Sequence, residues 1–210
     1  MSIIENIGNA VFKGKAKEVV TLVQEALAEG ISAGEILEQG LLKGMGELGE
    51  KFKNNEVFVP EVLVAARALN KGTEIIKTKL LEEGVEPIGR AVICTVKGDL
   101  HDIGKNLVKM MMEGSGFEMI DLGVDIPEDQ IVETVKVEKP QIVLLSALLT
   151  TTMNECEVVI KALEDAGIRD EVKVMVGGAP LTQTFADSIG ADGYSPDAAS
   201  AAEMAKGYVQ

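Results

Sequence analysis

Two patterns of apolar positions divide the chain near residues 84–89. As far as about Glu83, apolar residues recur three or four positions apart, which is typical of amphipathic helices. After the segment EEGVEPIGR they form short β-branched runs that are apolar on both faces, as in buried parallel strands. We therefore predict two domains, residues 1–88 and residues 89–210.

The first domain is predicted to be an antiparallel four-helix bundle. A short helix precedes Lys13, and a second helix ends near Gly30. Ser32 can cap a third helix, with Glu35 in capping-box register, and Pro60 suits the first turn of a fourth. The apolar positions of the last three helices are Val19, Val20, Val23, Leu27, Ile36, Leu37, Leu41, Met45, Leu48, Val62, Leu63, Ala66, Leu69 and Ile76.

The second domain is predicted to be a flavodoxin/Rossmann-like α/β fold with a five-stranded parallel sheet. AVICTV, QIVLLSA and VKVMVGG are the strongest strand signals, and FEMIDLG and ADGY are weaker ones. Helical stretches separate them, for example Ile103, Leu107 and Met111 at i, i+4 and i+8. Strands that alternate with helices form a doubly wound sheet, whose ligands bind beyond the carboxyl ends of the strands.

The first predicted strand leads into the loop GDLHDIGKN, which contains the only histidine of the sequence, His101. This histidine lies between two aspartates in a loop that is bounded by glycines. The later strands end at small or polar residues, and these segments are Ser146 with LLTTT, Gly177-Gly178-Ala179 and Gly193-Tyr194-Ser195. We expect all these segments at one edge of the sheet, with room for a large ligand opposite His101.

Several common chemistries need features that this loop lacks. A P-loop has four residues between its glycines and a hydroxyl residue after its lysine, whereas five residues separate Gly98 from Gly104, and Asn106 follows the lysine. A dinucleotide-binding G-x-G-x-x-G is absent. Ser146 and His101 could form part of a hydrolytic triad, but there is no G-x-S-x-G elbow. A zinc site would need more than one His or Cys ligand.

A single axial histidine ligand fits the loop, provided that a cofactor supplies the other ligands of the metal. Such a histidine needs its second ring nitrogen held by a carboxylate. Asp99, two residues upstream of His101, is the natural candidate. The glycines would let the backbone approach a bulky macrocycle.

Composition restricts the partners and the compartment. A net charge of −14 argues against a surface for nucleic acid. The start MSIIENIGNAVFKGK lacks the features of a signal peptide, and no apolar run approaches the ~18 residues of a membrane span. Cys94 and Cys156 are too few for a disulfide framework, and Cys94 is predicted to be a small buried hydrophobe. We expect a soluble, cytoplasmic protein without nucleic-acid or membrane partners.

Three motifs in the second domain resemble the cobalamin-binding signature Asp-x-His-x-x-Gly, Ser-x-Leu-x-Thr and Gly-Gly. The chain resembles the cobalamin-binding module of methionine synthase. It resembles more closely the small corrinoid proteins of methyltransferase systems that serve methanol, methylamines or methoxylated aromatics. GMGELGEKFKNNEVFVPEVLVAARAL and GADGYSPDAASA extend the resemblance over essentially the whole chain. The motif residues are Asp99, His101, Gly104, Ser146, Leu148, Thr150, Gly177 and Gly178.

The resemblance implies a bound corrinoid, cobalamin or a related cobamide, with His101 as the lower axial ligand of cobalt. Asp99 would bind His101, and Thr152 would supply a hydroxyl that completes the relay, where methionine synthase has Ser. Ser146 and Thr150 would line a slot for the nucleotide tail of the cofactor. The other cofactor contacts that the resemblance implies are Gly98, Leu100, Asp102, Ile103, Gly104, Leu148, Gly177, Gly178, Ala179 and Tyr194.

The helical domain would act as a cap over the reactive face of the cofactor. Phe58, Val59, Leu63 and Ala66 are candidates for residues that cover it. Positions in the core of the bundle are an equally good interpretation of these four residues.

The function implied by the resemblance is to carry a methyl group on cobalt. One partner would be a substrate-specific methyltransferase, and the other a second methyltransferase with an acceptor such as tetrahydrofolate or a thiol. A reductive activation protein is a third expected partner, and the chain alone should turn over no substrate. A corrinoid-dependent sensor and a mutase subunit remain alternatives. However, no DNA-binding segment is evident, and a mutase normally pairs with a large substrate barrel.

Overall fold

A computed structural model describes residues 2–209 of the chain. This part of the chain divides into two compact units. The first holds residues 2–87, the second begins at Ile88, and the short turn Gly114–Gly116 groups with the first. Within residues 2–209, no helix has the length and apolar character that crossing a membrane requires.

The secondary-structure elements of the first unit, as far as the structure describes it, are all helices. Helix α1 packs against α2 and α4, and α2 packs against α5. A π-helical segment, Ile36–Leu42, joins α3 to α4 without a break, so that residues 33–53 form one long helix. Counted in this way, the unit contains the four helices that the periodicity predicts. The bounds are α1 Ile3–Phe12, α2 Ala16–Ala28, α3 Ala33–Glu35, α4 Lys43–Lys53 and α5 Val59–Glu83.

Local signals mark the helix ends in this unit. Gly30 follows α2 with a left-handed φ of 83°, and the Ser32 hydroxyl accepts a hydrogen bond from the Glu35 N–H at 3.1 Å, both as predicted. A second cap comes from a distant residue. The Glu83 carboxylate, at the end of α5, accepts hydrogen bonds from the N–H groups of Ala33 and Gly34 at 2.9 and 3.0 Å. The beginning of the long helix is therefore tied to the end of α5.

The second unit contains a five-stranded, all-parallel sheet with the order β2-β1-β3-β4-β5. This order is that of flavodoxin-like folds and confirms the predicted fold class. The strand β2 is longer than its signal FEMIDLG, and β5 has only two residues. The bounds are β1 Gly89–Val96, α6 Ile103–Glu113, β2 Phe117–Ile126, α7 Glu128–Glu138, β3 Ile142–Ser146, α8 Glu155–Asp165, β4 Lys173–Gly177, α9 Gln183–Ser188, β5 Gly193–Tyr194 and α10 Ala198–Val209.

The core of the second unit is built from aliphatic side chains of the sheet and its helices. Cys94 on β1 and Cys156 on α8 belong to this core and are fully buried. Burial raises the pKa of each thiol to about 12. Both cysteines are thus unreactive core residues, as predicted for Cys94.

Candidate functional site

The sheet order brings the loops after β1 and β3 together at the carboxyl edge. Thr95 near the end of β1 pairs with Ser146 at the end of β3, and Ser146 pairs in turn with Gly177 on β4. Three of the segments singled out in the sequence therefore leave the sheet side by side. The first of them contains His101.

Asp99 is the centre of the hydrogen-bond network at this edge, and it is fully buried. Its Oδ1 accepts hydrogen bonds from the backbone N–H of His101 at 3.0 Å and from the ring Nδ1 of His101 at 2.7 Å. Its Oδ2 accepts from the N–H groups of Leu148 and Leu149 at 2.7 and 3.3 Å and from the Thr152 hydroxyl at 2.8 Å. The loop after β1 therefore donates hydrogen bonds to Oδ1, and the loop after β3 donates hydrogen bonds to Oδ2.

These contacts keep Asp99 ionised. Burial alone would raise the pKa of the carboxyl group, but the hydrogen bonds from the Leu148 N–H, from His101 and from Thr152 bring the pKa well below its usual range. An ionised carboxylate can only accept hydrogen bonds. The ring nitrogen Nδ1 of His101 must therefore carry the proton of the 2.7 Å contact.

The other ring nitrogen of His101 is available for a ligand. The imidazole is half-exposed, with 50% of its side-chain surface accessible. Among residues 2–209, no group hydrogen-bonds to Nε2. Because Nδ1 carries the proton, the neutral ring has its lone pair on Nε2. This is the state in which histidine coordinates a metal.

Two further residues hold the backbone around His101, and both were missed in the sequence. The Thr95 hydroxyl donates to the His101 carbonyl oxygen at 2.9 Å. The Asp125 carboxylate on β2 accepts a hydrogen bond from the Gly98 N–H at 2.7 Å. No local motif relates either residue to His101, because the contact of Thr95 depends on the path of the loop and that of Asp125 depends on strand pairing.

Exposed apolar side chains flank the histidine on both loops. Leu100 and Ile103 have 72% and 74% of their surface accessible, and Leu148 and Leu149 have 42% and 40%. Large aliphatic residues that are exposed together mark a binding surface more often than an ordinary protein surface. At this edge they would suit the apolar surface of a large, flat ligand.

Gly104 fits the same ligand. It lies in the first turn of α6, and a Cβ built at this position would have no atom within 4 Å. Its φ is not in the left-handed region. Since no contact of the described chain requires glycine there, the open space is available for a ligand that approaches the backbone closely.

The other residues that were predicted to contact the cofactor have different local surroundings. Asp102 accepts a hydrogen bond from the Asn106 side chain at 3.0 Å at the beginning of α6. Gly178 has a φ of 131°, and a Cβ there would collide with the carbonyl oxygen of Ala147. Glycine is therefore required at 178 by the neighbouring loop, apart from any space for a nucleotide tail. Ser146, Gly177 and Tyr194 are half-buried, and Thr150 and Ala179 are exposed.

The four cap candidates of the first unit separate into two groups. Phe58 and Leu63 are exposed, and Val59 is half-buried. Ala66 is buried, like Val62 and Leu69 on the same helix. The burial of Ala66 favours its interpretation as a core position of the bundle, since its helical spacing places it on the buried face of α5.

The side chains at this site suit a metal ion that receives most of its ligands from a cofactor. Within residues 2–209, no group of three or more His, Cys, Asp or Glu side chains is arranged to hold a metal ion. His101 offers a single nitrogen with an oriented second nitrogen, surrounded by apolar residues. These features fit a metal ion whose other ligands come from a bound macrocycle, and His101 would be the residue of this chain that holds it.

Comparison with known proteins agrees with this interpretation. Two family models described as B12 binding domain match residues 3–77 and 89–203. The chain is 46% identical to trimethylamine corrinoid protein 1 of Methanosarcina acetivorans over 195 residues, which are 88% of this chain and 90% of that protein. It is 40% identical to the dimethylamine corrinoid protein of Methanosarcina barkeri over 206 residues, which are 97% and 96% of the two chains.

The fold is also similar to that of a crystal structure, the methanol:cobalamin methyltransferase complex MtaBC from Methanosarcina barkeri. The TM-score is 0.89 at 30% identity, over 99% of this chain and 79% of that chain. The fold and the site thus define a cobalamin-binding protein. The chain belongs to the corrinoid proteins built from B12 binding domains, and the recognition from sequence is confirmed.

Proposed function

We propose that this chain binds a corrinoid with His101 as its lower axial ligand and carries a methyl group between two methyltransferases. One observation carries the assignment of the ligand. The buried Asp99 holds Nδ1 of His101 at 2.7 Å and the Thr152 hydroxyl at 2.8 Å, and this leaves Nε2 free at an exposed apolar edge.

A bound corrinoid supplies the cobalt that accepts and releases the methyl group. The work of the chain is to orient a ligand and to exclude water. Asp99 fixes the tautomer and the orientation of the His101 ring, so that the lone pair is on Nε2. Leu100, Ile103 and Leu148 would lie against the ring system and keep water from its lower face. Thr152 fixes the second oxygen of Asp99.

The substrate class that we propose is a methylated amine. The relatives at 46% and 40% identity are trimethylamine and dimethylamine corrinoid proteins, and they align over nearly the whole chain. A substrate-specific methyltransferase is accordingly the first partner. The second methyltransferase, a reductive activation protein and a cytoplasmic location complete the proposal. The helical unit would shield the bound cofactor.

Electron paramagnetic resonance tests the axial ligand directly. The chain should be loaded with cob(II)alamin twice, once unlabelled and once with ¹⁵N-histidine, which labels only His101. We expect the nitrogen splitting of the cobalt signal to change with labelling, because the two isotopes differ in nuclear spin. The variant His101→Gly is the control and should show no splitting from the protein. A splitting that is the same with both isotopes would refute axial ligation by His101.

A further inference from the structure

The turn that precedes His101 is held by the edge strand β2 as well as by its own loop. The Gly98 N–H donates to Oδ1 of Asp125 at 2.7 Å, and the Asp125 N–H donates to the carbonyl oxygen of Asp99 at 3.0 Å. The Asp99 N–H donates to the Val96 carbonyl at 3.2 Å and closes the turn. One residue of β2 therefore binds the chain on both sides of the peptide that joins Gly98 to Asp99.

Asp125 reaches this turn because β2 contains extra residues. Ile93 pairs with Asp121 and Val96 pairs with Ile126, so that residues 94 and 95 of β1 lie opposite residues 122–125 of β2. Irregular pairing of this kind bends a strand and redirects its side chains, often beside functional sites. Asp125 itself has a φ of 55°, a conformation that Asp, Asn and Gly adopt more readily than other residues.

A buried ion pair supports the irregular part of β2. The Asp121 carboxylate accepts hydrogen bonds from Lys105 Nζ at 2.7 and 2.8 Å and from the Gly123 N–H at 3.0 Å. The side chain of Lys105 is 2% exposed, and it extends from α6, the helix that begins two residues after His101. The contacts thus run from α6 to β2 and back to the turn that carries Asp99.

We propose that Asp125 is a positioning residue that holds the imidazole of His101 in the orientation for axial ligation. It acts through Asp99. By fixing the Gly98–Asp99 turn, it keeps Oδ1 of Asp99 within hydrogen-bond distance of Nδ1. When the turn is released, the ring loses its single tautomer, and Nε2 carries the proton in part of the molecules. The expected effect on cobalt ligation rests on the proposed function, whereas the expected change in the tautomer of the His101 ring does not.

Two variants of Asp125 separate its hydrogen bond from its backbone conformation. Asp125→Gly removes the acceptor but retains the freedom to adopt a positive φ. Asp125→Asn retains an acceptor oxygen and also tolerates this φ, and is therefore the matched control. Asp125→Ala also lacks the acceptor and is less flexible in the unfolded chain than glycine, although its φ is strained; it provides the same readout if the flexibility of glycine prevents folding.

The first experiment uses the chain without cofactor. Labelling with ¹⁵N-histidine gives one imidazole, whose tautomer is determined by NMR at pH ~8.5, about two units above the ordinary pKa of histidine. We expect a single Nδ1–H tautomer in the wild type and in Asp125→Asn, and a mixture in Asp125→Gly. A purely structural role would lower the stability without changing the tautomer. An unchanged Nδ1–H signal in folded Asp125→Gly would overturn the inference.

The second experiment uses the same proteins loaded with cob(II)alamin. In Asp125→Gly, we expect the ratio of histidine-ligated to unligated cobalt to fall about tenfold, the size expected for one lost hydrogen bond to a charged group. Asp125→Asn should restore the wild-type ratio. If the wild type shows no splitting from His101, the proposed axial ligand is refuted. If the wild type shows it and Asp125→Gly has the same ratio, only the inference on Asp125 is refuted.

Discussion

At the scale of single residues, Asp99 explains how one loop can present a histidine to a ligand. Its Oδ2 is bound by the N–H of Leu148 and the hydroxyl of Thr152, so the carboxylate cannot rotate away from His101. Its burial would be unfavourable for an ionised group without these donors. The network therefore stabilises the charge and orients the ring with the same contacts.

Thr152 provides a test of this network through its hydroxyl group. Thr152→Val keeps the shape of the side chain but removes the 2.8 Å hydrogen bond to Asp99. A hydrogen bond to a charged group contributes about 1.5–3 kcal/mol, so we expect the free energy of unfolding in urea to fall by about that amount. Thr152→Ser retains the hydroxyl and should lose less than about 1 kcal/mol. Equal losses in the two variants would show that the hydroxyl contributes nothing.

A substitution at Gly104 is expected to affect stability and ligand binding in opposite directions. Alanine is favoured over glycine in a helix by about 1 kcal/mol, and no atom lies within 4 Å of a Cβ at position 104. We expect Gly104→Ala to stabilise the protein without cofactor, by up to about 1 kcal/mol in urea unfolding, and to weaken cobalamin binding in equilibrium titration.

The control for this substitution is Gly207→Ala on α10. Position 207 is also helical and has open space around a Cβ. The neighbouring Val209 lies against Gly89, at the amino end of β1, so this glycine is at the edge of the sheet opposite to His101. Gly207→Ala should stabilise the chain similarly and leave binding unchanged. If Gly104→Ala binds cobalamin as tightly as this control, the open space at 104 is not used by the ligand.

At the scale of secondary-structure elements, α6 and β2 are joined by the pair Lys105–Asp121. Lys105 is nearly fully buried, whereas its neighbour Lys109, which is 3.3 Å from the same carboxylate, is partly exposed. Breaking a buried pair costs about 3–5 kcal/mol, although the remaining Lys109 lessens the loss here. We expect Lys105→Met to lower the free energy of unfolding by about 2–3 kcal/mol and Lys109→Met by less than about 1 kcal/mol. A larger loss in Lys109→Met would contradict this assignment.

The same pair predicts a pH dependence of stability. Burial alone would raise the pKa of Asp121, but the hydrogen bonds from Lys105 and from the Gly123 N–H lower it below its usual value. The stabilisation is therefore fully present above the unfolded pKa of ~3.9 and is lost as the pH falls through the lower, folded value. When unfolding in urea is measured at a series of pH values, the difference in free energy of unfolding between the wild type and Lys105→Met should become smaller below pH ~4. If this difference in free energy stays the same at every pH, the ion pair is not the cause of the lower stability of Lys105→Met.

The sequence predicts the regular elements well because their signals are local. Helical spacing, the Ser32 cap and the β-branched runs each involve residues a few positions apart. Asp99 and His101 were recognised for the same reason. Asp125 and Thr95 were missed, because the first depends on an irregular strand register and the second on the path of the loop. The sequence left Ala66 open between the core of the bundle and a covering surface, because helical spacing alone does not distinguish a buried face from a covering one.

At the scale of the whole molecule, the two units agree with two separate family matches. The matches cover residues 3–77 and 89–203, and the boundary between the compact units lies between Pro87 and Ile88. All the hydrogen-bonding partners of Asp99, as well as the exposed leucines beside His101, lie after this boundary. Binding of the corrinoid and its protection should therefore be separable by truncation.

A fragment of residues 88–210 should fold and bind cobalamin, but it should lose the protection that we attribute to the helical unit. We expect cooperative unfolding by circular dichroism, and the same change in nitrogen splitting on ¹⁵N-histidine labelling as in the full chain. Bound methylcobalamin should be photolysed faster in the fragment than in the full chain, because the fragment lacks the shield that we propose for the helical unit. Free methylcobalamin sets the upper limit of the rate. If the fragment binds cobalamin and both proteins show the same photolysis rate, the helical unit does not shield the cofactor.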